Sequence, residues 1–305
     1  MISDTEVWAA RRRVAGRARR TPVLDGGSTV FKLEYLQHAG SFKTRGMLNQ
    51  ILAGAERGAL PEAGIIVASG GNAGLSAAYA ARELGVPAEV YVPVSTPAVK
   101  LAKLTKLGAR VVQIGSEYAE ANEEAVVQAD VTGALFCHAY DDVDMVAGNG
   151  TLGLELLHQL PEGFDTVLVA VGGGGLVAGV AAALPPEVRV VAVEPVTCAA
   201  LHSALAAGEP VDVPVSGVAA DSLGARRIGS IAYEMAVLKS MRSVLVDDQA
   251  IVDARQQLWE DFRIVVEHGT ATAQAALTSG AYQPAAGERV VVLLCGANTN
   301  PADLA

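Results

Sequence analysis

Short runs of β-branched and other apolar residues alternate along the chain with longer stretches in which apolar positions recur at three- and four-residue spacing. The first pattern suits a strand buried on both faces, the second an amphipathic helix. Together they predict strands over 65–69, 89–92, 110–114, 166–171, 188–194, 243–246 and 289–295. Helices are predicted over 43–58, 73–84, 97–107, 117–129, 176–184, 230–238, 250–262 and 270–277. Strands separated by helices of roughly ten to fifteen residues make βαβ units, so the expected class is α/β with parallel sheets. In such sheets a ligand sits beyond the carboxyl ends of the strands.

Two segments test that reading. The first twenty residues hold six arginines, Arg11, Arg12, Arg13, Arg17, Arg19 and Arg20. Ser3 and Glu6 have the spacing of a capping box, and Val7, Trp8, Val14 and Ala18 form a helical stripe, so a solvated first helix is expected. Residues 166–186 carry no charge, which is long enough on paper to span a bilayer. Four consecutive glycines and Pro185-Pro186 instead suggest a strand, a turn and a short helix, and no membrane partner is expected.

Composition narrows the classes further. A length of 305 residues suggests two domains, and 51% hydrophobic against 18% charged residues excludes a disordered chain. The 23 basic and 33 acidic residues leave a net charge of −10, which argues against nucleic acid as a partner. Cys137, Cys198 and Cys295 show neither a CxxC pair nor metal-ligand spacing. That usage suits a reducing, cytoplasmic setting without a metal site.

Two predicted strands run into glycine-rich loops that open helices, Ser69-Gly70-Gly71-Asn72-Ala73-Gly74 and Gly172-Gly173-Gly174-Gly175-Leu176. Both have the makings of an anion cradle, because free N–H groups at a helix start face whatever the glycines admit. The second also reads Gly173-x-Gly175-x-x-Ala178, with Glu194 ending the next predicted strand. That is the pattern of an NAD(P)-dependent oxidoreductase, with the carboxylate on a ribose hydroxyl. Among six lysines, Lys43 lies in Gly40-Ser41-Phe42-Lys43-Thr44-Arg45-Gly46, a turn into a helix. A helix N-terminus and the neighbouring Arg45 would destabilise its ammonium, as imine chemistry requires, although spacing alone favours an ordinary surface lysine.

The segments Thr21-Pro-Val-Leu24, Phe31-Lys-Leu-Glu-Tyr-Leu-Gln37 and Gly40-Ser-Phe-Lys-Thr-Arg-Gly46 resemble the entry to the serine/threonine dehydratases. These are pyridoxal-phosphate (PLP) enzymes of fold type II. The later motifs follow in matching order: Ser69–Gly74, the glycine run 172–175, Ala220-Asp-Ser-Leu-Gly224, Val266-Glu267 and Cys295-Gly-Ala-Asn298. The resemblance implies two open, twisted, mostly parallel sheets flanked by helices, with the cofactor in the cleft between two domains. It assigns 1–38 and 139–305 to a large domain and 39–138 to a small one.

Roles follow by resemblance. Lys43 would hold PLP covalently and move the Cα proton, and Phe42 would lie against the ring. Asn72 would bind the ring's phenolic oxygen, and Gly172, Gly173, Gly174, Gly175 and Leu176 the phosphate. Ser69, Gly71, Asn72 and Ala73 would hold the substrate carboxylate. Cys295 would face the ring nitrogen without protonating it as a carboxylate would, which suits β-elimination.

Departures refine the expectation. Gly70 stands where racemases place a hydroxyl, which argues against racemisation, and the Ser-x-Gly-Asn-Ala-Gly form resembles mammalian-type serine dehydratases. Ala200 replaces the Asp that metal-activated members pair with Glu194, leaving a monovalent cation held by carbonyls as the remaining ion. The chain ends at Ala305, where biosynthetic threonine dehydratases continue into a regulatory domain, so no isoleucine feedback and a catabolic role are expected. The resulting expectation is a PLP-dependent dehydratase, or ammonia-lyase, taking L-threonine or L-serine to a 2-oxo acid and ammonia. A homodimer is expected from the family. The alternatives are the oxidoreductase above and another fold type II lyase or synthase.

Overall fold

A computed structural model describes residues 2–58 and 62–304. Met1, 59–61 and Ala305 fall inside the expected domain ranges but lie outside the described residues. Helix α1 (Asp4–Val14) opens the fold with the capping box from Ser3 and Glu6, and buries Val7, Ala10 and Val14. Strands β1 (Val23–Asp25) and β2 (Thr29–Lys32) form an antiparallel hairpin that pairs Leu24 with Phe31.

The next stretch builds one parallel sheet. It runs through α2 (Lys43–Glu56), β3 (Ile65–Ala68), α3 (Asn72–Leu84), β4 (Ala88–Val92), α4 (Ala98–Lys106), β5 (Arg110–Gln113), α5 (Tyr118–Thr132) and β6 (Leu135–Phe136). The four strands lie in the order β5-β4-β3-β6.

Beyond α6 (Val143–Gln159) come β7 (Thr166–Ala170), α7 (Gly175–Ala183), β8 (Arg189–Pro195), α8 (Ala200–Ala207), the short α9 (Ala220–Leu223) and α10 (Ser230–Leu238). The chain finishes with β9 (Arg242–Val246), α11 (Asp248–Phe262), α12 (His268–Thr278) and β10 (Val290–Leu293). This part shares a six-stranded sheet with the hairpin, in the order β1-β2-β10-β7-β8-β9, parallel except for β1.

The α/β class and the two mostly parallel sheets agree with the sequence. Both faces of the larger sheet are covered: Val167 and Val169 of β7 enter one core cluster, Leu168 and Ala170 the other. That double burial is why its strands read as unbroken apolar runs.

Several elements were not predicted, and three of them bear on the site. The β1–β2 hairpin turns on Asp25, whose Oδ1 accepts the Gly27 N–H at 2.9 Å, and it ends in the buried Lys32, which breaks the apolar pattern. Helix α8 is a short alanine-rich segment. Helix α6 carries Gly148, Gly150 and Gly153, and a glycine inside a helix costs about 1 kcal/mol relative to alanine. Packing supplies the reason. A Cβ on Gly150 would lie 2.6 Å from the Gly179 carbonyl oxygen of α7, so the two helices meet backbone to backbone.

Candidate active site

The carboxyl ends of β3, β7 and β10 converge on one cleft. At its floor Phe42 is tied to the end of β10, its N–H donating to the Cys295 carbonyl at 2.9 Å. Lys43 therefore begins α2 directly beneath the cleft, partly buried, with Nζ donating to the Ala139 carbonyl at 3.0 Å. Burial pulls its ammonium down to about 8, opposed by Cys295 and Glu267. Arg45 is not the cause, contrary to expectation. Its guanidinium turns away into a buried cluster with Glu34 and Glu155, which neutralise it.

Around Lys43 the structure gathers Phe42, Asn72, Cys295 and the run from Gly172 to Leu176 in one cavity. Gly174 adopts φ +89°, a left-handed conformation, and α7 then leaves the first-turn N–H groups of Gly175, Leu176 and Val177 without intrahelical acceptors. A Cβ on Gly173 would clash with the Tyr140 ring, so the backbone itself forms the wall. Tyr140 is held from both sides. The His138 Nδ1 accepts its N–H at 3.3 Å, and the next residue, Asp141, caps α10 by accepting the N–H groups of Ser230 and Ile231 at 3.0 Å each.

Ser69, Gly71, Asn72 and Ala73 line the continuation of the cleft toward solvent. The Ser69 Oγ accepts the Gly71 N–H at 3.2 Å, which tightens this turn. Asn72 starts α3 and is held at both ends of its amide. Its Nδ2 donates to Glu267 Oε1 at 2.7 Å, and its Oδ1 accepts from Asn298 Nδ2 at 2.6 Å. Burial pushes the Glu267 carboxyl up to about 7, against the hydrogen bond from Asn72. Cys295 lies 3.3 Å from the Thr270 hydroxyl, and burial pushes its thiol up to about 12, so it is neutral at physiological pH.

Glu194 is elsewhere. It is fully buried, and its carboxylate accepts the N–H groups of Leu201 and His202 at 2.7 and 2.8 Å, capping α8. A carboxylate so engaged is not offered to a ribose, and this removes the oxidoreductase reading's second half. Sequence reasoning also passed over Tyr140 and Asn149, which line the same cavity, and named Ser222 and Glu267 within motifs without giving them a role. Tyr140 and Asn149 sit in no motif, and each arrives from a different segment of the chain.

A lysine whose ammonium is brought down to about 8, a turn of bare backbone donors and a neutral thiol are the equipment for a phosphorylated aldehyde cofactor. The sequence profile of the family "Pyridoxal-phosphate dependent enzyme" matches residues 14–296. The chain belongs to that family. Its cofactor is pyridoxal phosphate, and the lining of the cavity suits that group: free backbone N–H groups would face a phosphate, Asn72 and the Cys295 thiol a ring, and Lys43 an aldehyde.

This PLP enzyme is similar to the L-threonine ammonia-lyase of Geobacter sulfurreducens, with 36% identity over 97% of the chain and 76% of the relative. It superposes on a T.th. threonine deaminase with a TM-score of 0.88 at 34% identity, covering 98% of this chain and 99% of that one. Maize serine racemase gives a TM-score of 0.92 at 30% identity, covering 99% and 95% respectively.

The depressed Lys43 value has a kinetic consequence. Only the neutral amine attacks a carbonyl, so uptake of PLP by the cofactor-free protein should speed up about tenfold per pH unit and level off near pH 8. An ordinary lysine would keep gaining toward its usual value. A stopped-flow pH series that rises smoothly past pH 10 would contradict the burial of Lys43.

Proposed function

We propose that the protein is a PLP-dependent dehydratase that converts L-threonine or L-serine to a 2-oxo acid and ammonia. The observation that carries this reading is the neutral Cys295 thiol at the end of β10, in the cavity that holds Lys43. Bound PLP supplies an electron sink for the substrate's Cα. A thiol leaves that sink weaker than a carboxylate would, which favours expulsion of a β-hydroxyl over transamination.

In this reading Lys43 holds the cofactor and, once its Nζ is free, takes the Cα proton; burial lowers that amine to about 8, which raises its neutral share and leaves it basic enough to accept the proton. The turn 69–73 at the start of α3 receives the substrate carboxylate through Ser69, Gly71, Asn72 and Ala73. Glu267 and Asn298 consume the Oδ1 and one Nδ2 hydrogen of Asn72, so its second Nδ2–H remains for the ring oxygen. Phe42 packs beside the ring, and Gly172 to Leu176 take the phosphate.

The similarity to a serine racemase raises a second product. Gly70 presents no hydroxyl to the face opposite Lys43, which supports elimination alone. Purified enzyme given L-serine and L-threonine should release 2-oxo acid and ammonia in equal amounts, and chiral chromatography should find no D-serine. Accumulating D-serine, or no keto acid from either substrate, would overturn the reading.

The remaining assignments are proposals of the same kind. The domain division 1–38 with 139–305 against 39–138 is supported by sheet membership, since β3 to β6 all fall between residues 65 and 136. No helix among the described residues is long and apolar enough to cross a membrane. A cytoplasmic setting is supported by three buried cysteines, all free. The homodimer rests on family resemblance, and light scattering tests it.

A further inference from the structure

Asn149 is fully buried, and neither its Oδ1 nor its Nδ2 has a hydrogen-bond partner. Among the described residues it is the buried side chain with both polar ends unpartnered. Native interiors rarely tolerate such a group, and one that lines a cavity implies a ligand there. The cavity is the one containing Lys43 and the 172–175 turn.

Its position follows from how α6 wedges between two helices. A Cβ on Gly46 of α2 would lie 2.8 Å from Asn149 Oδ1, which sets the amide one turn past Lys43. The adjacent Gly150 N lies 2.6 Å from a Cβ built on Gly179, one turn into α7 from Gly175. The Asn149 side chain lines the same cavity as the lysine and the turn of free N–H groups.

We propose that Asn149 is a side-chain ligand of the cofactor's phosphate, completing from α6 a cradle that the α7 turn otherwise builds from backbone. The chemistry of the lining supports this assignment. Among the described residues that line it, Lys43 is the one cation, and that amine is committed to the aldehyde. A phosphate dianion held by neutral donors gains from each added N–H, and the Asn149 amide adds two without charge. The inference rests on the family's cofactor and not on the dehydratase reading, so a different substrate would leave it standing.

The test uses the holoenzyme and its Asn149→Leu and Asn149→Asp variants, similar in size to the native residue. Two quantities are read: the 31P resonance of bound PLP and the rate at which PLP leaves into excess trapping reagent. The expected result is a displaced 31P resonance in both variants and release faster by about tenfold or more, largest for Asn149→Asp because a carboxylate repels the dianion. Binding of pyridoxal, which lacks the phosphate, should not change. Unchanged 31P shifts and release rates would overturn the proposal. So would faster release with an unmoved resonance or with equally weakened pyridoxal binding, since either places the contact away from the phosphate. If Asn149→Leu does not fold, Asn149→Asp alone decides by the same two readings.

Discussion

Lys43→Ala is expected to lower turnover of L-threonine and L-serine by about a thousandfold or more. On the proposed reading two functions are lost with one side chain: the covalent hold on PLP and the base that takes the Cα proton. Stability should barely change. Nζ makes one hydrogen bond, to the Ala139 carbonyl, and removing a partly buried ammonium relieves a desolvation that already pulls it down to about 8. The check pairs steady-state assay with mass spectrometry after borohydride reduction, which should mark Lys43 in the wild type and nothing in the variant. Turnover within tenfold of wild type would mean that another group does this work.

The second large effect is structural. Glu155→Ala should destabilise the folded state by about 3–5 kcal/mol, the usual consequence of leaving a buried charge without its partner. Glu155 of α6 contacts Lys32 of β2 at 2.6 Å and Arg45 of α2 at 3.0 Å, and Arg45 also reaches Glu34 at 2.6 Å. Lys32 and Glu34 are wholly buried. The network is not a simple gain, since burial pulls the Lys32 ammonium down more than Glu155 raises it. It matters because it is complete.

Denaturant midpoints at fixed PLP concentration measure the loss. The double variant Lys32→Met, Glu155→Leu should recover most of it by removing both charges of that pair. No recovery would show that shape, and not charge, was the cause.

The same carboxylate gives a pH dependence. Arg45 and Lys32 hold the folded-state value of Glu155 below the ordinary one despite burial. Its contribution is therefore present above the unfolded value of about 4.3 and is lost as pH falls through the lower folded value. The Glu155→Ala variant should lose less stability over that acid range than the wild type.

Much of the chemistry could be read in the sequence because it is local. The two loops after β3 and β7 announce themselves within a few residues, whereas Lys43, by spacing an ordinary surface lysine, stood out only through the resemblance. Helix α6 was missed for the opposite reason. Its glycines argue against a helix until α7 is packed against it, and Asn149 in its middle looks like one more helix breaker. Arg45 misled because a charge beside Lys43 in sequence points, in the fold, to carboxylates just past the end of β2 and on α6.

Periodicity was enough for the parallel α/β architecture, since it depends on residues within one strand or helix, and the order of motifs along the chain was enough for the family. Tertiary structure decided the rest. It gave Glu194 to the start of α8, surrounded Asn72 with Glu267 and Asn298 from distant segments, neutralised Arg45, and left Asn149 facing the cavity. The physical reason is that burial and hydrogen-bond partnership are properties of segments far apart in sequence, and they fix what each polar group can do.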